Sequence, residues 1–138
     1  MNIIVMGAPG SGKTTWCRQN LGSGLMYDLD LIATALRGNK DLHPYEPRSR
    51  TFDEDARTVA DQLLIPIVEA ARRARVDLLV IRTAPTVEEL GAINPEEVIW
   101  IRSESAERML RRYAERIAAT ADMIRQTGTP LREFPGRV

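Results

Sequence analysis

Residues 7–14 read Gly-Ala-Pro-Gly-Ser-Gly-Lys-Thr and match the pattern G-x-x-x-x-G-K-[ST] at every fixed position. Glycines in such a loop let the backbone curl, so that successive N–H groups point at phosphate oxygens. Lys13 would place a positive charge at the β- and γ-phosphates, and the Thr14 hydroxyl would ligate a magnesium ion. The stretch therefore predicts binding of a nucleoside triphosphate, ATP with Mg²⁺. The residues predicted to form this site are Gly7, Ala8, Pro9, Gly10, Ser11, Gly12, Lys13, Thr14 and Thr15.

The segments on either side of the motif support this interpretation over an ordinary glycine-rich turn. Residues 2–6 form a short apolar run that predicts a buried parallel strand. Residues 13–20 predict a helix that Gly22 is well placed to end, and the positive N-terminal end of this helix would add to phosphate binding. A strand directly before the loop and a helix directly after it form the context that the motif requires.

The rest of the chain alternates between strand and helix patterns. Strands are predicted at 25–27, 76–81 and 98–101, and helices at 31–37, at about 51–75 with a kink at Pro66, and at 105–126. An exposed loop is expected from Gly38 to Arg50, and residues 131–138 carry no clear pattern. We therefore predict one three-layer α/β domain over residues 1–138, with a parallel sheet of four or five strands and the first strand at its centre.

Composition narrows the choice of partners and location. The 19 Lys and Arg residues balance 19 Asp and Glu residues, so overall charge predicts neither a nucleic-acid nor a membrane partner. Hydrophobic residues make up 43% of the chain, which is enough for a buried core. The single cysteine, Cys17, fits a reducing compartment, and the sequence shows neither a signal-peptide pattern nor a long apolar run. These features predict a cytoplasmic protein.

The loop and a second stretch together resemble a known family. Asp30-Leu31-Ile32-Ala33-Thr34-Ala35-Leu36 follows the loop after one helix and one strand. In this respect the chain is similar to small P-loop kinases of the polynucleotide-kinase and zeta-toxin type, which carry Asp-x-[Ile/Leu]-Arg-x-x-Leu there. The resemblance implies a P-loop NTPase fold like that of nucleoside monophosphate kinases, with Asp30 as the general base. It also implies a lid at about residues 103–127, whose catalytic arginines match Arg112 and Arg116 best.

Three features of the sequence depart from the family pattern. Ala33 stands where the family has an arginine that contacts a substrate phosphate, and Arg82 follows the third strand where a Ser or Asp is common. No aspartate is recognised at the end of an apolar strand, so the usual acidic partner for magnesium is not evident. Asp28 is the alternative base or an outer-shell partner of the magnesium ion. A competing interpretation makes Asp30 simply the N-cap of the following helix.

The arginines also allow two interpretations each. Arg82 would either hold a substrate phosphate or form a surface ion pair. Arg108, Arg112 and Arg116 share one helix face, so they would either close over ATP or form a solvated face. In the second case they would pair with acidic residues on the same helix, namely Glu104, Glu107 and Glu115.

Together these features predict an ATP- and Mg²⁺-dependent phosphotransferase. It would move the γ-phosphoryl group of ATP to a nucleoside, nucleotide or polynucleotide 5′-end, with Lys13, Asp30, Arg112 and Arg116 as catalytic residues. The alternative is an ATP-binding module or an NTPase with weak turnover that acts through a partner. The sequence specifies neither the acceptor nor an oligomeric state.

Overall fold

The computed structural model describes residues 1–38 and 54–136, which form a five-stranded parallel sheet and its helices. Residues 39–50 of the predicted loop and residues 51–53 at the predicted start of the following helix lie outside these residues. None of the described helices is long and apolar enough to cross a bilayer. In chain order the elements are β1 (Asn2–Met6), α1 (Lys13–Asn20), β2 (Leu25–Tyr27), α2 (Leu29–Leu36), α3 (Glu54–Gln62), α4 (Leu64–Ala74), β3 (Leu78–Arg82), α5 (Val87–Ile93), β4 (Glu97–Arg102), α6 (Glu104–Met109), α7 (Arg111–Thr127) and β5 (Leu131–Pro135).

The strands are ordered β2-β3-β1-β4-β5, and every neighbouring pair is parallel. The predicted α/β class, the parallel sheet and the central position of the first strand are therefore confirmed. The fifth strand, β5, was not located by the sequence. It is an edge strand that ends at Pro135 and is partly exposed, so it lacks the apolar run by which the inner strands are recognised.

Successive residues of the central strand point to opposite faces of the sheet, and both faces are covered. Ile4 and Met6 pack on the side covered by α4, α5 and α7, whereas Val5 packs with Cys17 of α1 on the other side. A parallel strand buried on both faces needs apolar side chains at nearly every position, which explains the continuous run of β1. The domain accordingly has three layers.

Two helices are interrupted where the sequence predicted continuous ones. The first break lies at Leu63, three residues before the predicted kink at Pro66. A proline ring clashes with the carbonyl four residues earlier, here that of Gln62, and supplies no N–H. The helix therefore ends at Gln62, and Pro66 occupies the first turn of α4, where its N–H would have had no partner.

The second break divides the predicted lid helix. Leu110 has φ −123° and ψ 55°, outside the helical region, so α6 ends before it and α7 starts after it. No residue of α6 is buried, whereas Ile117, Ala121 and Ile124 of α7 lie in the core against the sheet. The second half of the predicted lid region is thus part of the folded core.

The sequence analysis also missed α5. Thr86 caps this helix: its hydroxyl accepts from Glu89 N at 3.1 Å, and Glu89 Oε1 accepts from Thr86 N at 2.9 Å. The sequence shows the spacing of this capping box, Thr-x-x-Glu. The helix itself has only seven residues, which is too short for a clear apolar period.

We predict that Ile124→Ala lowers the free energy of unfolding by about 2–4 kcal/mol, because it leaves a cavity in the core beneath the sheet. Met109→Ala, at a side chain that is 84% exposed, is the matched control and should change stability by less than about 0.5 kcal/mol. Urea denaturation measures both. Equal, small effects would mean that α7 is not packed on the core.

Candidate functional site

The loop between β1 and α1 depends on glycine at three positions. Gly10 and Gly12 have φ of +82° and +100°, in the left-handed region that favours glycine. A Cβ at Gly7 would lie 2.6 Å from the carbonyl oxygen of Ile101 and 2.7 Å from Ser11 Oγ. Gly7 therefore lets the loop leave the central strand close to β4.

Lys13, the first residue of α1, folds back across this loop. Its Nζ donates to the carbonyl oxygens of Gly7 and Ala8 at 2.6 and 3.0 Å. Burial lowers its pKa from 10.5 to about 8, although the nearby carboxylates of Asp28 and Asp30 raise it in part. Its ammonium group is thus incompletely compensated, as expected of a cation that receives an anionic ligand.

Asp28 directly follows β2 and joins α1 to α2. One carboxylate oxygen, Oδ2, accepts from Thr14 Oγ1 at 2.8 Å, and Oδ1 accepts from Asp30 N at 3.0 Å. The interpretation of Asp30 as the N-cap is therefore wrong, since Asp28 is the cap. The expectation that no aspartate closes an apolar strand is wrong as well. The strand at 25–27 was predicted, but it has only three residues and the first of them is exposed, so it was not recognised as the apolar strand that an aspartate follows.

The Thr14 and Asp28 oxygens are suitable for magnesium. Mg²⁺ prefers oxygen ligands, keeps several waters, and is usually held by one or two protein groups together with substrate phosphates. The Thr14 hydroxyl would be the direct ligand and Asp28 would orient a bound water. The described residues contain no cluster of three or more His, Cys, Asp or Glu that could hold a metal without such a substrate.

A cleft of about 840 Å³ opens beside the loop. Its size lies in the range of ligand sites. It is bounded by residues of α1, α2, α3 and α7 and by the carboxyl end of β3. The polar side chains lining it include Lys13, Thr14, Asp28, Asp30, Arg57, Asp61, Arg82 and Arg116.

Asp30 lies in this cleft, in the first turn of α2, and forms an ion pair with Arg57 of α3. The sequence analysis did not find Arg57, because it becomes a neighbour of Asp30 only through packing. Ala33 of α2 is 4% exposed and packs with Ala56 and Ala60 of α3. These small side chains let the two helices approach closely, and they leave position 33 without a group that reaches the cleft.

Arg82 is already engaged by carboxylates. Its Nη1 lies 3.1 Å from Asp61 Oδ1, and its Nη2 pairs with Glu89 Oε2. The predicted ion pair is therefore present, but Arg82 and Asp61 line the cleft and are not on a remote surface.

The structure separates the arginines of the predicted lid. Arg116 lines the cleft, with its guanidinium 5.6 Å from the centre of the Tyr113 ring. Arg112 is exposed and is not among the described residues that line the cleft, so its catalytic role stays a prediction. Arg108 forms the expected solvated pair with Glu104 at 3.6 Å.

The chain segment after β5 also supports the loop, which the sequence did not indicate. Gly136 N donates to the Arg102 carbonyl oxygen at 2.5 Å. A Cβ at Gly136 would clash with the backbone oxygen of Ser11. Only glycine allows this segment to contact the loop so closely.

Comparison with known proteins gives no independent assignment. No model of a protein family matches the chain, and no curated protein matches it significantly. Inference of function therefore depends on the motif and on the geometry of the cleft.

The lowered pKa of Lys13 gives a stability prediction with a definite sign. Below pH 8 the buried ammonium opposes folding fully, and this cost falls between pH 8 and 10.5, where the folded state loses its proton first. Lys13→Met should therefore stabilise the ligand-free protein at pH 7 by up to about 3 kcal/mol. The gain should shrink as pH rises towards 10.5. Thermal unfolding at a series of pH values measures this, and a gain independent of pH would contradict it.

Proposed function

We propose that the chain is a phosphotransferase with a P-loop fold of the nucleoside-monophosphate-kinase type. It binds ATP with Mg²⁺ at residues 7–15 and transfers the γ-phosphoryl group to an acceptor in the adjoining cleft. The single observation that carries the proposal is the arrangement of Lys13 across the loop beside the paired Thr14 and Asp28. The strand order is compatible with a P-loop or a Rossmann-like fold, and the motif after the central strand favours the former.

Phosphate binding uses groups that are already oriented. The loop N–H groups and the N-terminal end of α1 attract phosphate oxygens. Lys13 needs only to turn from the Gly7 and Ala8 carbonyls to the β- and γ-phosphates. When bound through Thr14, magnesium would supply further charge stabilisation for the transferred group.

Transfer requires a base near the acceptor hydroxyl. Asp30 lines the cleft, and Arg57 holds one of its oxygens, so its carboxylate is positioned without closing the site. In the proposed step the acceptor oxygen bonds to the γ-phosphorus, Asp30 takes the hydroxyl proton, and ADP leaves. Arg116, on the same cleft, would stabilise charge on the transferred group.

The first test is product analysis with labelled ATP, Mg²⁺ and a panel of hydroxyl and phosphate acceptors. Label on an acceptor supports a kinase, free phosphate alone supports an NTPase, and tight binding without turnover supports a binding module.

Lys13→Met should weaken ATP binding by about 1.5–3 kcal/mol, the scale of a hydrogen bond to a charged group. The variant that is more stable without ligand should thus bind ATP less well. Unchanged affinity by calorimetry would rule out phosphate binding at this loop.

We predict that Asp30→Asn lowers the transfer rate roughly a hundredfold or more, because Asn cannot accept the proton. Stability should fall by only about 1 kcal/mol or less, because Asp28 and not Asp30 caps α2 and the ion pair between Asp30 and Arg57 is partly exposed. Asp122→Asn is the matched control, since Asp122 pairs with Arg125 on the exposed face of α7 and its side chain is 72% exposed. Full activity of Asp30→Asn would remove Asp30 as the base and make Asp28 the next residue to test.

A further inference from the structure

The acceptor side of the cleft is the part that lies towards β3 and β2. The sheet order places both strands on one side of β1, and α2 and α3 follow β2 in the chain. Five charged side chains of the described residues line the cleft from this side, namely Asp28, Asp30, Arg57, Asp61 and Arg82. The other cations that line it, Lys13, Arg18 and Arg116, belong to α1 and α7. Under the proposed function Lys13 and Arg116 serve the triphosphate.

Among residues 1–38 and 54–136, both arginines that line the acceptor side are already paired within the chain. Arg57 is held by Asp30, and Arg82 is held by Asp61 and Glu89 through its two terminal nitrogens. Two guanidinium groups thus meet three carboxylates, so this group of described residues carries one net negative charge.

The pair between Arg82 and Glu89 is especially difficult to open. The side chains are 19% and 14% exposed, so both charges are largely shielded from water. Glu89 Oε1 is fixed by the capping box of α5 while Oε2 pairs with Arg82. A phosphate that took Arg82 would leave a shielded carboxylate unpaired, which is costly.

A hydroxyl group meets the opposite situation. Asp30 Oδ1 is used by Arg57, and Oδ2 has no hydrogen-bond partner among the described residues. An O–H donor can bind that oxygen without breaking any ion pair. No guanidinium has to be released, and no like charges are brought together.

We propose that the acceptor is a hydroxyl compound without a phosphate group, such as an unmodified nucleoside. The carboxylates of Asp61 and Glu89 exclude nucleotides and polynucleotide ends by occupying Arg82. This inference rests on the proposed function and narrows its acceptor class.

The test compares uridine with uridine 3′-monophosphate, which both offer a 5′-hydroxyl and differ in one phosphate. In ATP-dependent transfer, uridine should have the higher kcat/KM, by roughly tenfold or more. Calorimetry on protein saturated with Mg²⁺ and a non-hydrolysable ATP analogue measures binding of the same two compounds without turnover. Preference of the wild-type protein for the monophosphate in either assay, lost in Arg82→Gln, would overturn the inference.

The double variant Asp61→Asn, Glu89→Gln tests the cause. It frees Arg82, and Gln at position 89 can still serve the capping box. It should gain roughly tenfold or more in affinity for uridine 3′-monophosphate in the analogue complex and none for uridine. Asp61→Asn alone provides a second variant if the double variant has a lowered melting temperature. A folded variant without this gain would show that the carboxylates do not exclude phosphate. Failure of the wild-type protein to bind the ATP analogue would instead refute the proposed function.

Discussion

The parallel pairing of β1 with a neighbour on each side is the constraint on which the rest of the structure depends. Because β3, β1 and β4 run in the same direction, their carboxyl ends meet at one edge of the sheet. The chain segments that follow these strands must therefore converge there. This convergence places the glycine-rich loop beside Arg82 and lets Gly7 pass within contact of Ile101.

The site combines a hydrogen bond that links two helices with a buried charge that opposes folding. Thr14 and Asp28 join α1 to α2 by a hydrogen bond, so the two helices are linked beside the glycine-rich loop. The ammonium group of Lys13 is buried beside this hydrogen bond. Its desolvation is unfavourable and lowers its pKa. The buried ammonium group lowers the stability of the ligand-free protein, and an anionic ligand would offset this cost. Such a pattern is typical of ligand sites.

Packing of the helices determines which arginine side chains reach the cleft and which remain at the surface. Arg116 reaches the cleft because α7 is anchored to the core by Ile117 and its neighbours, while Arg108 precedes the break at Leu110 and remains at the surface. On the other side, α3 presents Arg57 to Asp30 because alanines bring α2 and α3 together. The guanidinium groups near the cleft therefore differ in whether they already form an ion pair with a carboxylate of the chain.

The sequence by itself determined the α/β class, the central strand and the position of the loop, because each depends on residues close together in the chain. Continuous apolar runs and a motif with fixed glycines are local signals of this kind. Only the tertiary structure decided that Asp28 pairs with Thr14, that Arg57 pairs with Asp30, and that Arg82 is held by Glu89. These contacts join residues 7 to 27 positions apart on different elements. Their existence follows from strand order and from how closely the helices pack, which a local pattern does not encode.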